Sequence, residues 1–188
     1  MADPRRTSAL AGLLPGDRPD DAHPGITLRA VEGDIKLTLR GSPEVAQAVA
    51  TMLGLPVADT MLAGTGDGSR RMLRLGPDEW LLALPSMPDL SSAVEGRHHA
   101  LVDISERLPA VELSGPASRD VLAGGCPLDL HGEKVAPGFA SRTIMGKADI
   151  VLECREDGSF VLHTNRSFLE YLWLLLVELG REFGVKAA

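Results

Sequence analysis

The segment from Phe168 to Phe183 constrains the fold more than any other, because at helical spacing it leaves hardly a face for water. At about 100° per residue, Phe168, Leu172, Leu175, Leu176, Leu179 and Phe183 gather on one side. Glu170, Glu178, Arg181 and Glu182 share the opposite sector. Those residues alone make an ordinary amphipathic helix. Tyr171 and Leu174, however, project from within the charged sector, and Trp173 with Val177 widens the apolar face well past a core stripe. A second layer of the same domain covers these side chains, or a partner subunit does, since contiguous apolar surface with an aromatic anchor marks interfaces, or they are single exposed residues without meaning. The uninterrupted apolar run, Tyr171 to Val177, is far shorter than the roughly 18 to 20 residues that cross a bilayer. The helix is therefore expected to pack against protein, with no membrane role.

Composition narrows the class. A chain of 188 residues, 44% hydrophobic and 24% charged, can bury a sizeable core within one domain. A formal charge of −7, with no dense cluster of Lys and Arg, argues against nucleic acid, because binding the phosphate backbone works through positive charge that releases counterions. Cys126 and Cys154 stand far apart with no Cys-x-x-Cys spacing, so neither a disulfide framework nor a zinc knuckle is supported. A reducing, cytoplasmic location is the expectation. Arg5-Arg6 followed by Ala9 to Leu14 imitates a twin-arginine signal, but Pro15, Gly16 and Asp17 end the apolar stretch, and no export signal is read.

Along the chain, residues 1 to 24 form an arm of Asp, Pro and Arg around one apolar island. That composition builds no core of its own, so the arm is expected to be disordered or laid across a neighbouring surface through Leu10, Leu13 and Leu14. Residues 25 to 188 read as a single α+β domain of antiparallel sheets with a few packed helices. Alternation at Ile26, Leu28 and Ala30, a turn at Gly33-Asp34, and Ile35, Leu37 and Leu39 give a hairpin pattern. Ser42-Pro43-Glu44 opens a helix that Gly54 and Pro56 close. Residues 60 to 85 read as three strands separated by the Gly64 to Gly68 loop and the Gly76-Pro77-Asp78 turn. A short helix from Pro88 to Val94 follows, then strands near 99 to 105 and 110 to 114, a helix from Ala117 to Leu122, and two or three strands within 141 to 164. Ser167 is the expected cap of the last helix.

The chemical motifs go mostly by elimination. The glycine loop has Ser69 where a dinucleotide fingerprint requires glycine, and no helix pattern follows it. Gly146-Lys147 resembles the end of a P-loop, yet Ser141 replaces its first glycine and Ala148 its magnesium-binding hydroxyl. His98 and His99 are adjacent, so on a strand they point to opposite faces and cannot easily share a metal. Cys126 precedes His131 with no third group to orient a nucleophilic pair. Asp103 and Ser105 share a strand face, with Glu112 a candidate neighbour, but carboxylates at a strand end usually cap turns. Ser114-Gly115-Pro116 is architectural, a tight corner followed by a preset helical φ. No catalytic, cofactor-binding or metal-binding residue is assigned.

Five segments together resemble the gamma subunit of heterotetrameric sarcosine oxidase. They are Leu75 to Leu82 with its Gly-Pro-Asp-Glu-Trp-Leu-Leu run, Val102 to Ser105, Leu113 to Ala117, Cys126 to Leu130, and Arg166-Ser167-Phe168 leading into Tyr171-Leu172-Trp173. The Ser-Gly-Pro corner is similar to the wider folate-binding fold of the glycine-cleavage aminomethyltransferase. The resemblance implies a subunit of a flavoenzyme that oxidatively demethylates sarcosine to glycine. It implies alpha, beta and delta subunits as partners, with FAD, FMN, NAD, tetrahydrofolate and zinc held elsewhere in the complex and none on this chain. N-methylglutamate dehydrogenase complexes carry similar subunits, which leaves the substrate of the assembly open. A stand-alone folate-binding or transferase role stays as the alternative, with Asp103 as its first candidate carboxylate. For a structural subunit, the docking candidates are Leu10, Leu13, Leu14, Trp80, Tyr171 and Leu174.

Overall fold

Eleven strands and four α-helices, numbered in chain order, make up the computed structural model, which describes Leu10 and residues 24–187. Leu13 and Leu14 lie outside the described residues. One sheet runs β11-β1-β7-β10-β9-β8 and is antiparallel except where β11 (Val185–Ala187) joins β1 (Ile26–Val31) in parallel. Its other members are β7 (Ala110–Ser114), β8 (Ala140–Met145), β9 (Ala148–Cys154) and β10 (Phe160–Thr164). The second sheet runs β3-β4-β5-β2-β6, from β2 (Ile35–Gly41), β3 (Gly64–Gly66), β4 (Arg71–Gly76), β5 (Glu79–Leu84) and β6 (His99–Asp103). The α+β class with antiparallel sheets and few helices agrees with the sequence pattern.

Period-two alternation gives each sheet an apolar face and a mixed one. In the first sheet Val111, Leu113, Ile150, Leu152, Phe160 and Leu162 face α3 (Ser118–Ala123) and α4 (Leu169–Gly180), closing a core around Leu172, Trp173 and Leu176. In the second, Leu37, Leu39, Trp80, Leu82 and Leu84 pack against α1 (Pro43–Leu53) and α2 (Ser91–Val94). The remaining strand faces look at each other, and there, among the described residues, Leu73, Leu81, Ala140 and Val151 form a small buried apolar cluster with Leu75, Ile104 and Leu108 partly buried against it. The order is therefore helix, sheet, sheet, helix, with a thin apolar join in the middle.

Local signals explain several boundaries. α1 starts on Pro43 after Ser42 and stops at Gly54, whose φ of 67° lets its N–H reach the Ala50 and Thr51 carbonyls. Gly115 has φ 112°, and a Cβ there would sit 2.5 Å from the Gly25 carbonyl oxygen, so only glycine turns the Ser-Gly-Pro corner against the start of β1.

Four expectations need correction. β1 and β2 are not a hairpin: β1 pairs β7 and β2 pairs β5 and β6, so the chain changes sheets at Gly33-Asp34. The glycine-rich segment supplies β3 itself, Gly64–Gly66, where Leu73 of the neighbouring strand fills the room a side chain would take. The helix expected from Pro88 is shorter, Ser91–Val94. Ser167 caps nothing, because a 3-10 turn, Arg166–Phe168, leads directly into α4 with no side-chain capping bond.

Candidate functional site

No helix among the described residues is long and apolar enough to cross a membrane. α4 spends most of its apolar surface on its own sheet: Leu169, Leu172, Trp173 and Leu176 are buried, and Leu175, Val177 and Leu179 are partly covered. Tyr171 is half-buried because its hydroxyl accepts a 3.1 Å hydrogen bond from the Lys147 N–H on the β8–β9 turn, where Gly146 leaves room for the phenol. Phe168 meets the Tyr171 ring edge-on, with centroids 6.4 Å apart. Leu174, one turn along, is 51% exposed and Phe168 39%. Phe168, in the turn before α4, and Leu174 thus stand exposed on either side of half-buried Tyr171.

Two other docking candidates are claimed by the interior. Trp80 is 1% exposed, its indole N–H donates 3.0 Å to the Ala58 carbonyl, and the Arg74 guanidinium lies 5.3 Å from its ring centroid. Alternation places Trp80 on the α1-facing side of β5, so it anchors the second core and presents no surface. Leu10 is 2% exposed and packs into the core beneath α4.

The eliminated motifs stay apart. Cys126 is buried with its thiol 3.9 Å from the Thr143 hydroxyl, whereas His131 is exposed. His98 and His99 are both exposed. Asp103 accepts from the Ser105 N–H and hydroxyl, and Ser105 in turn accepts from the Lys36 N–H at 2.9 Å. Glu112 is in the other sheet, ion-paired at 2.8 Å with both Arg29 and Arg155. No three His, Cys, Asp or Glu side chains converge as a metal site among the described residues.

What alternation did not reveal is the charge between the sheets. Arg71 of β4 is ion-paired with Glu153 of β9, and His163 of β10 sets its Nε2 3.6 Å from Glu153 Oε2. All three are nearly solvent-free. Burial pushes the Glu153 carboxyl up, but His163, Arg71 and Arg155 outweigh it and the pKa ends below the ordinary value. Burial likewise pushes the His163 imidazole down, so it stands neutral beside an ionised Glu153. Lys36, 3% exposed, is also driven down by burial. The signal was present in the sequence: Glu153 and His163 follow apolar runs on β9 and β10, each on the face turned away from the helices.

Beside this cluster the sheets part to leave a cleft of about 480 Å³. Leu81, Ile104, Leu108 and Val151 form apolar walls, His163 reaches it, and arginines and acids line it. Glu79 accepts from Arg142 at 2.8 Å and from Arg40 at 3.3 Å, and the Arg142 hydrogen bond holds its carboxyl below the usual carboxylate range.

Residues 40–182 match the family described as "Sarcosine oxidase, gamma subunit family". The chain is similar to sarcosine oxidase subunit gamma of Corynebacterium sp. strain U-96, at 32% identity over 167 residues that cover 85% of this chain and 81% of the relative. Its counterpart from Arthrobacter sp. is 29% identical, with 85% and 82% covered. In three dimensions the chain is similar to one in the heterotetrameric sarcosine oxidase from Corynebacterium sp. U-96 in complex with pyrrole 2-carboxylate. That match has a TM-score of 0.83 and 28% identity, covering 95% of this chain and 96% of that one. Glycine cleavage system aminomethyltransferase T from Bartonella henselae shares the fold, with a TM-score of 0.66 at 14% identity over 88% of this chain and 48% of that one. The family match, the curated relatives and the shared architecture agree, and the chain belongs to the sarcosine oxidase gamma subunit family.

Proposed function

We propose that this chain is a non-catalytic assembly subunit, docking onto other subunits of a heterotetrameric sarcosine oxidase through the outer face of α4. The observation that carries this reading is the exposure of Phe168 and Leu174 beside half-buried Tyr171, at and just before a helix whose opposite side packs on its own sheet. Aromatic residues among apolar neighbours are enriched at the centres of interfaces. Leu13 and Leu14 of the N-terminal arm are proposed to extend the same docking. The partners are taken to be the alpha, beta and delta subunits, which would hold FAD, FMN, NAD, tetrahydrofolate and zinc in a cytoplasmic complex that demethylates sarcosine. Within the chain, residues 25–188 are proposed to act as one domain and residues 1–24 as an arm, anchored on that domain by Leu10 and otherwise directed to a partner.

The test is co-expression of the tagged chain with its partner subunits, followed by copurification, flavin absorbance and a sarcosine oxidation assay. A yellow complex that loses integrity or activity when this chain is omitted is the expected result. An intact, fully active complex formed without it would overturn the assembly role.

A further inference from the structure

The cleft between the sheets contains opposite charges that the protein leaves uncompensated. Of its three arginines, Arg142 is engaged by Glu79, and Arg40 by Glu79 and Asp78. The third, Arg107, is exposed, and its guanidinium has no ion-pair or hydrogen-bond partner among the described residues. Asp149 on β9 is exposed too, and among the described residues its carboxylate is unpaired, only its backbone carbonyl accepting from the Thr164 hydroxyl at 2.9 Å. A rim charge in water needs no explanation, but His163 does. It is 2% exposed and reaches the cleft, and with its Nε2 turned to Glu153 at 3.6 Å it leaves Nδ1 with no hydrogen-bond partner among the described residues. A buried polar group left unsatisfied is costly, and where the chain offers no partner, water or a bound molecule supplies one.

The chemistry of the ligand follows from what each group excludes. A plain anion would meet the Asp149 carboxylate, and a plain cation the Arg107 guanidinium. A wholly apolar molecule would leave both charges and the His163 Nδ1 without partners in a narrowed, drier space. The volume lies within the range of about 300 to 1,000 Å³ typical of small-molecule sites. We infer that the cleft binds a small zwitterion, its carboxylate on Arg107, its ammonium on Asp149 and its apolar body against Leu81, Ile104, Leu108 and Val151. His163, at the inner end, supplies a hydrogen bond to the same molecule. This binding belongs to the chain itself and does not rest on the docking of α4.

Isothermal titration of the full-length chain with L-phenylalanine and with para-aminomethylbenzoate, zwitterions of short and long charge separation, tests it. At least one is expected to bind saturably. Its affinity should fall about tenfold in Arg107→Gln and again in Asp149→Asn, as loss of a charge-assisted contact implies. Phenylalanine amide and N-acetylphenylalanine, each with one charge, should bind correspondingly more weakly. Thr38→Tyr, which fills the cleft from β2, should abolish binding while circular dichroism shows each variant folded. No saturable binding of either probe up to about 10 mM would overturn the proposal. Loss in only one charge variant would do the same, because an anion or cation site would then suffice, and so would binding indifferent to both variants.

Discussion

The layers between helix and sheet and the layer between the two sheets differ in chemistry, although the same strands supply both. On β9, Ile150 and Leu152 close the core under α4, while Val151 and Glu153, one residue on, look across at the other sheet. On β5, Trp80 and Leu82 serve the α1 core, and Glu79 and Leu81 face the cleft. The outer layers are almost wholly apolar and continuous. The middle layer has four buried apolar residues, an ion pair, a neutral histidine and an opening. Fold stability therefore resides chiefly in the outer layers, where apolar area leaves water, and the middle layer holds the polar chemistry that such packing excludes.

The largest expected break in that comparison is Trp173→Ala, which empties the centre of an outer layer and should cost about 3–5 kcal/mol by chemical denaturation. Glu153→Leu comes next, at about 3 kcal/mol, because it strands Arg71 in a dry site. The paired change Arg71→Leu with Glu153→Leu sharpens the point, since it should recover most of that loss. A middle layer kept for stability would not recover.

A smaller effect separates the layers by pH. Burial sets the His163 pKa below its ordinary value of 6.5, so on acidification the unfolded chain takes up a proton that the native chain refuses. The contribution of the neutral histidine is fully present above about pH 6.5 and is lost as pH falls below it, by up to about 1.4 kcal/mol per unit. Denaturation midpoints should fall as pH drops below about 6.5, and His163→Leu should weaken that fall. The depressed Glu79 and Glu153 carboxyls titrate below that window and do not blur it. Smallest of all, Glu79→Gln at the exposed cleft rim should change stability by less than about 1 kcal/mol, as partly solvated ion pairs do.

The outer layers were the legible ones. The Ser42-Pro43 start and Gly54 stop of α1, the turns at Gly146 and Gly158, and the wide apolar face of α4 all rest on neighbours in sequence. The family, too, was legible in short motifs from Leu75 to Trp173. Pairing between distant strands was not. Ile26 to Leu39 reads as a hairpin because alternation and a Gly-Asp turn are local, whereas the partners that win, β7 and β5, lie far along the chain. Trp80 looked available for docking because its hydrogen-bond acceptor, the Ala58 carbonyl, is invisible to any pattern of side chains. The cleft escaped notice for the same reason: Asp149 and His163 gather only when β9 pairs with β10, and Arg107 comes from the loop between β6 and β7.

Leu174 of α4 and Phe168 of the turn that leads into it test the central claim most directly, because both are exposed and outside the buried set. The measurement is size-exclusion chromatography of the co-expressed complex carrying Phe168→Ser with Leu174→Ser, beside a thermal melt of the same variant alone. The account predicts that the variant subunit elutes free of its partners while its own melting temperature stays within a few degrees of wild type. An intact complex with the variant in place would contradict it.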